Sequence, residues 1–302
     1  MKSDDRRENS IKQDNDNFIM LPTVDVCFKA LMNNPKVRKG FVAAILRKEP
    51  ETVRETVLLP TELTQEYPED KLGILDVRVM LEDGSQIDME MQVAYFAYWD
   101  ARVLFYLSKM FSEQLKKGEA YGTLKKCIHV SILDFVYFPE DEECCRTISF
   151  CDEKTGKRYT DLMEIQILEL KKLPADVKSG DDLINWMRFF GGKTRKEFAA
   201  MAKTDEYIDE AFKELKKLSA DDRAKYEYEA RERAIRDYNS QMSSALMQGR
   251  QQGMKQGIEQ GIKQGIEQGM KDVVEKLSGK GMSQEEIAAL LDISVEEVKR
   301  LR

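Results

Sequence analysis

The stretch from Ile74 to Val93 constrains this fold more than any other. ILDVRVML (74–81) and IDMEMQV (87–93) alternate in character along their length, and Glu82-Asp83-Gly84 falls between them. Alternation with period two marks strands, and a turn-forming loop between two such runs marks an antiparallel hairpin. Loop length then decides what the hairpin presents. A two-residue loop, Asp83-Gly84, would place Asp76 on the face opposite Glu90. A three-residue loop, with a type I turn followed by Gly84 in the left-handed region as a bulge, sets Asp76 directly across from Glu90, and glycine in third place favours it. Asp76, Glu90 and Gln92 then share one face, with cross-strand neighbours about 5 Å apart.

Two carboxylates at that separation repel each other unless a cation compensates, and paired carboxylates with water suit a hard divalent ion such as Mg²⁺ (or Mn²⁺). The competing reading makes Asp76 and Glu90, flanked by Arg78 and Asp88, the solvated face of an ordinary hairpin. Ile74, Met80 and the segment AYFAYW make that side partly apolar, and charges on a half-buried face need a reason.

Around the hairpin the periodicity switches. Pro22-Thr23 before VDVCFKALM suits Thr23 as the N-cap of a short helix carrying Asp25, and 36–48 reads as a second helix. After the hairpin, Val103, Leu104, Leu107, Met110, Phe111 and Leu115 recur at helical spacing over 99–118, with Gly118 at the expected C-cap. Arg102, Tyr106, Lys109 and Glu113 form that helix's polar side. KKCIHVSILDFVYF (125–138) reads as a buried strand, with the single histidine, His129, inside the core. The order helix, hairpin, helix, strand makes 18–175 a mixed α/β domain. Residues 1–17 are polar and expected to be disordered, 176–247 reads as helical, and 272–302 as a helical hairpin resembling a helix-turn-helix, with capping boxes at Ser283/Glu286 and Ser294/Glu297.

Net charge is −7, which argues against a protein that coats nucleic acid. Locally the balance reverses. Residues 26–48 hold Lys29, Lys36, Arg38, Lys39, Arg47 and Lys48 with no acid, and 101–126 add six basic residues against Glu113 and Glu119. Such stretches beside an acidic metal centre suit phosphate positioning, with Lys29, Arg102, Tyr106 and Lys109 as candidate DNA contacts; ordinary solvated helix faces are the alternative. No run approaches a membrane span and the polar start is unlike a signal peptide, so a cytoplasmic protein with reduced thiols is expected.

In order, Pro22-Thr23-x-Asp25-x-x-Phe28-Lys29, Gly73-Ile74-Leu75-Asp76-Val77, Asp83-Gly84, Met89-Glu90-Met91-Gln92, Arg102, Tyr106 and Lys117-Gly118-Glu119-x-Tyr121 resemble the transposase-like branch of the PD-(D/E)XK nucleases, the recombination-promoting nucleases. The resemblance implies a restriction-endonuclease-like core in which Asp76 and Glu90 hold Mg²⁺ and Gln92 takes the place usually held by lysine. Asp25 would complete the metal shell or orient a ligand, unless it is a first-turn helix carboxylate. Glutamine can position water but cannot take its proton, which leaves that role to metal-activated water or substrate phosphate. A Mg²⁺-dependent DNA endonuclease promoting recombination is the expected function. The alternative is a catalytically weak DNA-binding or scaffolding protein that self-associates through its tail.

That tail repeats Gln-Gly every four residues from Gln248-Gly249 to Gln268-Gly269, with Met254, Ile258, Ile262, Ile266 and Met270 on the same period. Six glycines cost a helix about 1 kcal/mol each relative to alanine. Residues 248–271 are therefore either a helix that needs a partner, such as a second copy, or a flexible linker.

Overall fold

The structure, a computed structural model, describes residues 18–63, 73–95, 97–174 and 180–302. The expected disordered segment 1–17 and the expected boundary near 175 lie outside them. The chain forms two compact units, one reaching Ile235 and the other running from Arg236 to Arg302.

The first unit is built on a mixed six-stranded sheet. Its strands are β1 (Thr56–Leu59), β2 (Val77–Leu81), β3 (Gln86–Gln92), β4 (Cys127–Leu133), β5 (Cys145–Ser149) and β6 (Met163–Glu169), in the spatial order β1-β2-β3-β4-β6-β5. β3, β4 and β6 run parallel to one another, while β1, β2 and β5 pair antiparallel with their neighbours. Helices α1 (Asp25–Asn33), α2 (Pro35–Ile45), α3 (Trp99–Ser112), α4 (Asp182–Gly191), α5 (Arg195–Met201) and α6 (Glu206–Ala220) flank the sheet. This mixed sheet with flanking helices is consistent with the expected restriction-endonuclease-like α/β fold.

The hairpin takes the three-residue register. Val77 pairs with Met89 and Arg78 with Asp88, Leu81 and Ser85 close the loop through a 2.9 Å backbone bond, and Gly84 has φ +85°. One face of the sheet is apolar: Val77, Val79, Ile87, Met89, Met91, Ile128, Val130 and Ile132 join the main core with Phe28, Phe41, Trp186 and Phe190. The other face lies under α3 and carries two smaller apolar clusters, one around Leu107, Met110 and Cys127, the other around Trp99, Val103 and Leu133. Gln86, Asp88 and Glu90 project between them.

Several local expectations change. Val24, not Thr23, is the residue before the first helix, and Thr23 is buried without capping it. Helix α3 stops at Ser112 rather than reaching Gly118, whose φ of +91° serves the following loop. The strand expected over 125–138 is confined to Cys127–Leu133 because Phe135, Tyr137 and Phe138 turn back over the Trp99 cluster. Leu104 is exposed while Tyr106 is buried, so α3 is rotated to bring its Arg102–Tyr106 side toward the sheet.

One helix, α7, spans Asp222–Gly279 and runs through the Gln-Gly repeat. In the second unit its end packs against α8 (Gln284–Leu291) and α9 (Val295–Leu301) through Val274, Ile287, Ala288, Val298 and Leu301. Both capping boxes form, at Ser283 with Glu286 and Ser294 with Glu297. Among the described residues, no helix is long and apolar enough to cross a membrane.

Candidate active site

The hairpin register puts β2, β3 and β4 side by side with their polar residues under α3. Asp76 sits one residue before β2. Its Oδ2 accepts a 3.3 Å hydrogen bond from the Met91 N–H, and its Oδ1 pairs with Lys29 Nζ at 2.9 Å. The first contact anchors the carboxylate to β3 beside Glu90; the second brings in α1.

Glu90 is fully buried. Its Oε2 accepts a 3.3 Å hydrogen bond from Arg102 Nη2 of α3, and its Oε1 is buried with no hydrogen-bond partner among the described residues. Burial and the neighbouring Asp88 push its carboxyl up to about 7. Asp76 adds the smallest push in the same direction. Arg102 also lies over two rings, 5.4 Å from the centre of Trp99 and 5.1 Å from that of Tyr106.

Beneath Glu90 lies a buried chain of polar groups that the sequence reading did not assemble. His129 Nδ1 is 2.6 Å from Asp88 Oδ2, and its Nε2 is 2.9 Å from Ser131 Oγ. Parallel pairing of β3 with β4 makes this contact, since Asp88 stands level with His129 and Glu90 with Ser131. Burial opposes charge on the imidazole, yet Asp88 outweighs it and raises the His129 pKa. Burial likewise raises Asp88, against the pull of His129. The two meet in one short contact through Asp88 Oδ2, while Asp88 Oδ1 is buried with no hydrogen-bond partner among the described residues. Ser131, His129 and Asp88 are linked in the manner of a hydrolase triad, but all three are sealed from solvent, so Ser131 cannot reach a substrate. The available signal was the run Gln86, Asp88, Glu90, Gln92, four polar residues on one face of a strand.

The remaining expected residues are spread around this centre. Gln92 ends β3, half-buried, and its carbonyl accepts from the Asp134 N–H at 2.8 Å. Asp25, one turn before Lys29 on α1, pairs with Arg231 Nε at 2.8 Å. Tyr106 is buried against the sheet, and Lys109 is half-buried one turn further along α3. Glu113, on the same side of α3, pairs with Arg78 at 3.1 Å, and Arg78 is also held by Gln86. The structure thus gathers Asp76, Glu90, Lys29 and Arg102 into contacting pairs.

A family model described as PD-(D/E)XK nuclease family transposase matches residues 22–245. The chain belongs to this family. No curated protein and no solved structure matches the chain. For a PD-(D/E)XK nuclease the arrangement has a direct chemical reading: two acidic residues at the ends of a hairpin, on the polar face of a mixed sheet, with cations arriving from helices on either side. Among the described residues, no group of three or more His, Cys, Asp or Glu is arranged to hold a metal ion. A two-carboxylate donor set does fit a hard cation. Glu90 Oε1 is an oxygen buried without a partner, and desolvating a carboxylate in that state is costly unless a positive charge meets it.

Proposed function

We propose that this nuclease-family protein is a cytoplasmic, divalent-metal-dependent DNA endonuclease that hydrolyses phosphodiester bonds and promotes transposition-like recombination. The observation that carries the reading is the partnerless, buried Glu90 Oε1, on the strand whose Met91 N–H holds Asp76.

Asp76 and Glu90 would hold the Mg²⁺ or Mn²⁺ ion, which when bound supplies charge to the phosphate and makes water acidic enough to attack at neutral pH. Gln92, at the mouth of β3, can orient a water through its amide but carries no charge. Lys29 compensates for that: it holds an ammonium against Asp76, at the acidic centre itself. Arg102 contributes a guanidinium whose rings, Trp99 and Tyr106, fix its plane, and a planar fork suits two oxygens of a phosphate. Both cations are paired with the carboxylates and would turn to DNA phosphate if those carboxylates held a metal ion. Lys109, on the same side of α3, extends the positive surface along the backbone. Asp25 acts by placing α1, through Arg231, so that Lys29 reaches Asp76.

The test is nicking of supercoiled plasmid in Mg²⁺ by the wild type, Asp76→Ala and Glu90→Gln. Cutting by the wild type that is lost in both variants supports the assignment. Equal cutting by all three would reject the site, and failure of the wild type to cut while it still retards DNA would favour a DNA-binding scaffold.

A further inference from the structure

The Gln-Gly helix lies outside the residues that the family shares, 22–245, and its four-residue period carries more than glycine. From Gly253 to Gln268 each repeat reads Gly, Ile or Met, charge, Gln, and the charge alternates in sign, Lys255, Glu259, Lys263, Glu267, a stripe that Lys271 continues. On an α-helix the four residue types form four stripes about 90° apart, drifting by about 40° per repeat. Glycine and isoleucine stripes adjoin, with the charged stripe flanking isoleucine and the glutamine stripe flanking glycine.

The structure leaves the glycine–isoleucine face bare. Ile258, Ile262 and Ile266 are 52%, 58% and 59% exposed. A Cβ placed on Gly253, Gly257, Gly261, Gly265 or Gly269 would meet nothing within 4 Å. Yet the helix is continuous from Asp222 to Gly279, through residues that on their own disfavour it.

We propose that this face pairs with a second copy of the chain, antiparallel, about a two-fold axis at Gly261. Such an axis sets each flank of the helix against the same flank of its partner, so the charged stripe faces itself in reverse order. Lys255 then stands level with Glu267 of the partner subunit, and Glu259 with Lys263 of the partner subunit. Each of these four charges meets its opposite, while Lys271, the next in the stripe, falls level with Gln251 of the partner subunit. The same axis sets Gly261 on its own copy and Gly257 on Gly265 of the partner subunit, which lets the backbones approach closely, as small residues do at helix crossings. The isoleucines of the two copies fall at alternating heights and interleave. A parallel, in-register pair would turn the charged stripe toward the glutamine stripe, and the alternation of sign would serve nothing. The inner charge pairs lie about 3 Å along the axis from the crossing and the outer ones about 9 Å, within the distance over which charges act at ordinary ionic strength. The pairing rests on the tail alone and stands or falls separately from the nuclease reading.

Sedimentation equilibrium on full-length protein tests it at micromolar concentration. The wild type should have twice the mass of the 34.9 kDa chain. Lys255→Glu with Lys263→Glu makes the four paired positions wholly acidic, and Glu259→Lys with Glu267→Lys makes them wholly basic; each protein alone should be monomeric. Mixing the two should restore the dimer, and exchanging all four charges at once should leave it intact. All these positions are on the surface, and the mixture confirms that both variants remain folded. A monomeric wild type, a dimer in either single-sign variant, or a mixture that stays monomeric would overturn the proposal.

Discussion

Arg102 Nη2 stands 3.3 Å from Glu90 Oε2 across the seam between α3 and β3, while Glu90 Oε1 faces no donor among the described residues. One guanidinium thus serves a carboxylate that burial would otherwise keep neutral. Arg102→Met keeps much of the side chain's bulk over Trp99 and Tyr106 but removes the charge. In metal-free buffer it should destabilise the protein by roughly 1–3 kcal/mol at about pH 8, where Glu90 is ionised, and by much less at about pH 5, where it is protonated. Urea unfolding at the two pH values checks this.

Glu90 itself links stability to pH. An ordinary glutamate titrates near 4.5, and burial with Asp88 nearby takes Glu90 up to about 7. Between those values the folded protein holds a proton that the unfolded chain has released. The contribution is therefore complete below about 4.5 and is lost as pH rises through about 7, for a change of about 3 kcal/mol. Glu90→Gln fixes the uncharged form. In chelator it should be more stable than the wild type at about pH 8 and should flatten the pH dependence of the urea midpoint over this range.

Local chemistry in the sequence specified the hairpin and its consequences. Gly84 in third place selected the register, the register brought Asp76, just before β2, to the Met91 N–H of β3, and the polar run in β3 announced an unusual face. What could not be read locally depends on parallel strand pairing. Asp88 meets His129 only because β4 lies next to β3 in one particular register, and these residues are separated by a hairpin exit, a helix and a loop. The edge strands β1 and β5 are short and lack clean alternation, so periodicity does not single them out. The rotation of α3 was equally hidden. Leu104 and Tyr106 would exchange roles on hydrophobicity alone, yet ring contact with Arg102 and the polar floor of the sheet draw Tyr106 inward.

The register also makes a prediction about Gly84. At φ +85° any side chain is strained, and a Cβ there would lie 3.1 Å from Lys125 Cγ, a flexible chain that can move aside. Gly84→Ala should therefore cost about 1–2 kcal/mol, mostly from backbone strain, and Gly84→Asn less, since asparagine tolerates this region better. Equilibrium urea unfolding of the three proteins reads the order directly.

The Asp88–His129 pair separates support from chemistry. Both side chains are sealed from solvent and linked at 2.6 Å, so removing one leaves the other buried without its partner. His129→Phe should cost roughly 3–5 kcal/mol, and Asp88→Leu a comparable amount. Making both changes together removes the whole pair, and an apolar replacement of similar volume recovers most of the loss, so a double-mutant cycle should show strong favourable coupling. Neither residue lies where DNA can reach it. A stable double variant should consequently still nick plasmid in Mg²⁺, with activity reduced only as far as Glu90 has been displaced. If that protein folds normally and cuts nothing, the buried pair belongs to the reaction and not merely to the floor beneath it.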